Sequence, residues 1–386
     1  MSMILVHTKI IEAPVQSMNI IFTATSYPRN ISDWQSVFIK KLLDAYANHP
    51  EHSTYVWAPE GPLHRNLNYL CTPGDIKFLN AVAEKGGISH LLRNNKPVAA
   101  LSGVNLLWRM RRVLWENRNS ADIYHLNWLQ SLIPFWNIPK PAVATILGSD
   151  FQLLKVPGMV SLVRQVLKKS PVILAPNNEW MIAPLEDKFG DLAEIHYVPF
   201  GIDKSWFDVN YVPVNNKTCW ICVLRITKQK MGRLFEWGEP IFKGSSLQEL
   251  HVFGPNQENL DIPSWVHYHG PATAEVLARE WFPRACGLIS LSEHSEGRPQ
   301  VMLEALAAGI PVIASRTQAH TDLLKESSAG LLVSTQEEFQ WAITQYTDTT
   351  RREKSADAAR RLARNAYGTW DDCYTRYMSL YTRLLI

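Results

Sequence analysis

At 386 residues, the chain is long enough for two domains, each with its own core. Apolar residues make up 46% and charged residues 19%, which excludes a polar disordered chain, and 39 basic residues against 36 acidic ones exclude the lopsided charge of a general nucleic-acid binder. No apolar run reaches the ~20 residues of a membrane-spanning helix. The opening MSMILVHTKIIEAPVQS has no basic leader followed by a long apolar segment, so a cytoplasmic location is expected.

Residues 1–17 read as an appendage. From Met18, the apolar run MNIIFTATSYP predicts a first strand, and DWQSVFIKKLLDAYANH, with Trp34, Phe38, Leu42 and Ala45 at helical spacing, predicts the first helix. STYVWAPE, ADIYHLNW, PAVATILGSD, PVILAPNN and EIHYVPFGID repeat the pattern of a short apolar strand closing in polar residues. Strands alternating with helices imply a parallel sheet, whose ligands gather at the carboxyl ends of the strands. Between the first strands, LLWRMRRVLWENR carries Trp108, Arg109, Arg111, Arg112 and Trp115. It reads as an amphipathic surface helix, with peripheral contact to anionic lipid at the inner membrane leaflet as a second reading.

Turn formers accumulate in GIDKSWFDVNYVPVNN, residues 201–216, which marks the crossing to a second alternating series: TCWICVLRI, LQELHVFGP, WVHYHG, CGLISLSE, IPVIAS and GLLV. Cys219 and Cys222 form a C-x-x-C inside the first of these strands. Residues three apart on a strand point to opposite faces, so a shared metal or redox role is not expected. The five cysteines are read as reduced thiols. TAEVLAREWFPRA and PQVMLEALAAG are predicted helices. The expected organisation is residues 1–203, then 204–368, then a carboxyl-terminal helix over 369–386, with a ligand cleft between two doubly wound parallel-sheet domains.

The most informative segment is SEHSEGRPQVMLEALAAGIPVIAS, Ser292–Ser315. Pro299 suits the first turn of a helix, and Gly309 with Pro311 supplies its stop, so the helix is expected over Pro299–Ala308. Its amino end follows Glu296, Gly297 and Arg298. Backbone N–H groups there, the positive end of the helix dipole and a bare glycine suit a diphosphate. Glu304 lies within the helix among Ala305, Ala307 and Ala308, where a carboxylate can accept hydrogen bonds from ribose hydroxyls.

Glu296 and Glu304 stand at the spacing of the E-x7-E signature, and the segment resembles that of glycosyltransferase family 4, retaining enzymes of the GT-B fold that include makers of bacterial surface polysaccharides and lipopolysaccharide O-antigen. The resemblance implies that Glu296 contacts the donor sugar, that Glu304 binds the nucleotide ribose, and that Gly297, Arg298 and Pro299 bring the backbone to the phosphates. RITKQK at 225–230 resembles the family's cationic pair, carried to Arg225 and Lys230, with Lys228 competing for the lysine position. Two such cations would neutralise a departing diphosphate. VPFGID at 198–203 resembles the family's crossing between domains, and the end of the chain, from TWD at 369–371 to YMSLYTRLLI, its returning helix. Two features depart from the pattern. The loop SYPRNISDWQS has no glycine, and Leu147 stands where many members carry histidine. Asp150 and Ser149, at a strand's carboxyl end, and His125 in YHLNW are the acceptor-side candidates. Helix capping for Asp150 and a core hydrogen bond for His125 are the plainer readings.

No D-x-D occurs in the chain, so neither a metal nor any cofactor beyond the nucleotide-sugar substrate is expected, and His267 and His269 in WVHYHG are read as lining a strand end, with His269 near the donor base. The resemblance implies retaining, front-face transfer from a UDP- or GDP-sugar to a saccharide or lipid-linked saccharide. A sugar-nucleotide epimerase and a catalytically silent sugar-nucleotide binder are the alternatives.

Overall fold

The computed structural model describes residues 17–30, 33, 36–84, 96–148, 150–210, 212, 218–294, 298–325 and 327–386. Two parallel sheets form, one in each half of the chain. The first has seven strands, β1 Asn19–Thr23, β2 Ser53–Trp57, β3 Asn68–Tyr69, β4 Ile123–Asn127, β5 Ala142–Ile146, β6 Val172–Pro176 and β7 Glu194–Ile195, in the order β3-β2-β1-β4-β5-β6-β7. The second has six, β8 Thr218–Val223, β9 Gln248–Phe253, β10 Val266–Gly270, β11 Ala285–Ser290, β12 Val312–Ser315 and β13 Gly330–Val333, in the order β10-β9-β8-β11-β12-β13. Both are doubly wound. Each reverses direction beside its first strand, between β1 and β4 and between β8 and β11, and ligands of such sheets bind at that reversal.

Burial explains why these segments are strands. Every residue of β4, β5, β6 and β11 is buried, the pattern of a strand covered on both faces. Cys219 packs into one apolar cluster of the second domain and Cys222 into another, so the C-x-x-C is split across the sheet.

Three predicted elements come out shorter or broken. The strand expected over EIHYVPFGID is only Glu194–Ile195: it is the sheet edge, and Pro199 has no N–H to extend a ladder. The helix expected over TAEVLAREWFPRA is a turn at Ala274–Val276, a π turn at Leu277–Trp281 and a 3-10 turn at Phe282–Arg284, because Pro283 cannot donate to the preceding turn. The first helix starts at Val37, one residue after Ser36 at φ 52°.

The last helix, Trp370–Leu385, opens with a capping box in which Thr369 and Asp372 exchange side-chain and backbone hydrogen bonds. Its buried residues Tyr377, Leu380 and Tyr381 join the core of the first sheet. Gly201 packs against Thr369, and Ile202 bridges to Thr369, so the outgoing and returning passes between the two halves run side by side.

The helix Lys96–Glu116 turns its arginines into the fold. Arg109 and Arg112 each bind the buried Asp75 carboxylate, at 2.9 and 2.7 Å, and Arg111 donates to the carbonyls of Pro134 and Trp136. Beside the exposed polar Asn105 and Glu116, the large apolar side chains that the helix exposes among its described residues are Leu101, Val104, Trp108 and Trp115.

Candidate functional site

The loop after β8 carries Arg225, Ile226 and Thr227. Thr227 Oγ1 accepts from Lys230 N at 3.3 Å and so caps the short helix Lys228–Met231. Gly232 follows at φ 52°, a conformation that L side chains rarely adopt, and a Cβ there would lie 2.0 Å from the Leu291 carbonyl oxygen. That close approach joins the β8 loop to the loop after β11. Glu293 N donates to Gln229 O at 2.8 Å, and Gln229 Oε1 lies 3.2 Å from His294 Nδ1. Arg225 and Lys230 therefore sit on one side of the sheet reversal, and the lead-in to the E-x7-E segment sits on the other. Glu296 and Gly297 themselves, and Ser149, lie outside the described residues.

The helix of that segment is Gln300–Ala307, with Pro299 as its N-cap, so it begins one residue later than expected and carries no side-chain cap. Glu304 lies on it, half-buried, and its carboxyl is pushed up to about 8 by burial first and then by Asp203, against a lowering by Lys41. Asp203 pairs with Lys41. Glu304 thus looks toward the crossing segment, to which Gln300 also donates, from Nε2 to Gly201 O at 3.1 Å.

Arg298 is engaged by the first domain. Its Nε donates to Asn177 O at 2.9 Å, and a terminal nitrogen donates to Tyr197 Oη at 2.5 Å. The guanidinium lies over the rings of Tyr197 and Tyr367, 5.5 and 4.7 Å from their centroids. Trp180 N donates to Asp322 Oδ2 at 2.7 Å, and Lys325 pairs with Glu179 across the same seam. The Arg298 side chain thus clasps the two domains together, and its expected role at the phosphates is one of the backbone.

Of the acceptor-side candidates, His125 is wholly buried. Its Nε2 lies 2.9 Å from Thr145 Oγ1 and its Nδ1 2.5 Å from Tyr381 Oη, and burial pushes it down to about 3. The ring is neutral and built into the core under the last helix. Asp150 is buried as well, and its oxygens accept from Leu129 N at 2.7 Å and Leu147 N at 2.9 Å. Burial pushes it up to about 6, against the lowering by those N–H groups. It ties together the loops after β4 and β5. His269 faces His251, whose Nδ1 lies 3.0 Å from its Nε2, and stacks on Phe253.

The sequence reading missed the polar lining of the first sheet. Thr23 Oγ1, Asn127 Oδ1 and Asn177 Oδ1, at the carboxyl ends of β1, β4 and β6, are buried with no hydrogen-bond partner among the described residues. Thr23 and Asn127 flank the reversal of that sheet, and Trp128, the next residue, is held at φ 69°. Strain and orphaned polar atoms collect where a ligand is handled. The polar residue closing each apolar run was the only sequence signal for them. In the second domain a cavity of about 590 Å³ opens at the ends of β11, β12 and β13, lined among others by Arg233, Glu293, Ser315 and Arg316.

Residues 236–348 match the family described as Glycosyl transferases group 1. The chain is 32% identical over 94 residues to a probable sucrose-phosphate synthase of Thermosipho melanesiensis, and 30% identical over 140 residues to a D-inositol 3-phosphate glycosyltransferase of Stackebrandtia nassauensis. These stretches are 24% and 32% of this chain, and span 22% and 31% of those relatives. Among solved structures, a UDP-forming α,α-trehalose-phosphate synthase from Burkholderia xenovorans superposes with a TM-score of 0.68 at 11% identity, over 96% of this chain and 100% of that one. The chain has the two-domain, Rossmann-like GT-B fold, and its second domain carries the sequence pattern of Glycosyl transferases group 1.

Proposed function

We propose that this protein is a retaining glycosyltransferase that moves a sugar from a nucleotide diphosphate onto a hydroxyl of a saccharide acceptor. The observation that carries the reading is the junction at the second sheet's reversal: the loop bearing Arg225 and Lys230 is bonded to the loop that leads to Glu296 and Pro299. Cations, backbone N–H groups and a helix amino terminus there suit a pyrophosphate, where negative charge grows as the glycosidic bond breaks. In this reading no metal is required. Glu296 meets the sugar, Gly297 and Arg298 offer backbone N–H groups, and Glu304 accepts the ribose hydroxyls. The acceptor hydroxyl attacks the anomeric carbon on the face that the leaving phosphate departs, and its proton passes to a phosphate oxygen. The buried polar atoms of Thr23, Asn127 and Asn177 face the acceptor side.

UDP and GDP are the proposed nucleotides, and the relative named UDP-forming favours UDP. Two acceptor sources follow. One is a lipid-linked saccharide in cell-surface polysaccharide or lipopolysaccharide synthesis, reached by peripheral contact through Leu101, Val104 and Trp108. The other is a free phosphorylated sugar or polyol, favoured by the names of the similar proteins. A donor and acceptor panel with stereochemical analysis of the product tests the reading. Transfer with retention, suppressed by Glu296→Gln and by Lys230→Ala in folded protein, is expected. Donor turnover without acceptor would replace it with an epimerase, and donor binding without turnover with a silent binder. Vesicle flotation separates the acceptor sources: Trp108→Ala should release the protein if lipid is its surface.

A further inference from the structure

The second sheet carries a cluster that the donor site does not use. In the register of β9 and β10, His251 lies opposite His267. Alternation puts Glu249 beside His251 on one face, and His269, at the shift of register between Tyr268 and Gly270, also faces His251. His251 Nε2 is 3.5 Å from Glu249 Oε2, and a ligand atom from each of Glu249, His251 and His267 lies within 4.8 Å of the others. Tetrahedral zinc with bonds of ~2.0–2.2 Å holds its ligands about 3.4 Å apart. The first pair already meets that spacing, and the exposed His267 ring, stacked on His251 with centroids 4.8 Å apart, must turn its lone pair toward them to close the site.

We propose that Glu249, His251 and His267 bind one zinc-class divalent cation that fastens the edge strand β10 to β9. Two imidazoles and a carboxylate are a borderline donor set that suits zinc over magnesium or calcium. The metal takes the lone pair on Nε2 of the neutral His251 ring. The ring's one proton then sits on Nδ1 and is donated to His269 Nε2, 3.0 Å away, so His269 and the ring of Trp281, 4.8 Å from His251, hold the ligand's orientation. A fourth position is left to water. The cluster lies toward the amino ends of these strands, with Glu249 about 13 Å along β9 from Phe253 at ~3.3 Å per residue, so this cation is separate from the donor's pyrophosphate.

The test uses untagged full-length protein stripped with a chelator and titrated with zinc chloride, with bound zinc measured by elemental analysis after gel filtration and stability by thermal melting. The wild type should retain one zinc per chain and melt higher with it. The surface variants His267→Gln and Glu249→Gln should fold, lose the zinc-dependent rise in Tm and bind zinc at least tenfold more weakly. Equal zinc content and an equal rise in both variants would overturn the assignment. So would a wild type that retains no zinc, which would leave the cluster as a hydrogen-bonded relay from His269 through His251 to Glu249.

Discussion

Replacing Gly232 by alanine probes the junction on which the proposed donor site depends. The new methyl would stand 2.0 Å from the Leu291 carbonyl, where real contacts do not fall below 3.0 Å, so the two loops must part by about 1 Å. The backbone at φ 52° adds strain of about 1–3 kcal/mol for a residue with a side chain. Displacing reacting groups by about 1 Å costs on the order of 10²-fold in rate, or ~2.7 kcal/mol of transition-state stabilisation. Gly232→Ala should therefore lower Tm by several degrees and cut donor kcat/KM about a hundredfold. UDP affinity by calorimetry should fall too, because Arg225 and Lys230 move away from the segment across the reversal. A variant with lowered Tm and UDP affinity within threefold of wild type would refute the idea that this approach builds the site.

Glu304 gives a pH signature. Its folded pKa, about 8, lies above the ordinary 4.5, so the fold prefers the protonated carboxyl. Its stabilising effect is present below pH 4.5 and is lost as pH rises toward and through 8. Glu304→Gln should flatten that decline in apo-protein melting curves and weaken UDP binding, and an unchanged decline would place its cause elsewhere. Asp150→Asn puts an N–H donor against one of the two backbone donors it serves, at a cost of about 1–3 kcal/mol in chemical denaturation with little change in UDP affinity. A wild-type denaturation midpoint would deny it the loop-tying role. Arg298→Ala removes two charged hydrogen bonds between domains, worth about 2 kcal/mol or more, and should raise the share of molecules whose domains have parted by about thirtyfold or more. Solution scattering should report a larger radius of gyration, and an unaltered curve would contradict the clasp.

The doubly wound sheets were legible because inner strands such as β4, β5, β6 and β11 are buried on both faces and show as unbroken apolar runs, and the helix after Pro299 because proline and glycine bracket it. The strand over EIHYVPFGID misled because an apolar run does not reveal that its sheet ends there. For His125 and Asp150 the plainer readings, a core hydrogen bond and a cap, are legible in the sequence, but only packing names the partners: Tyr381 and Thr145 for the one, and the backbone N–H groups of Leu129 and Leu147 for the other. Nothing in the motif shows where the Arg298 side chain turns, because the tyrosines that hold it, Tyr197 and Tyr367, are 101 and 69 residues away. The Glu249–His251–His267 cluster depends on the pairing of two strands, so H-x-H alone could not disclose it.

A crystal structure of the protein with UDP bears most directly on the central claim. The account predicts a pyrophosphate about 3 Å from the Arg225 and Lys230 side chains and from the backbone N–H groups that begin the helix Gln300–Ala307. A nucleotide seated away from the reversal between β8 and β11, with those cations still turned to the protein, would contradict it.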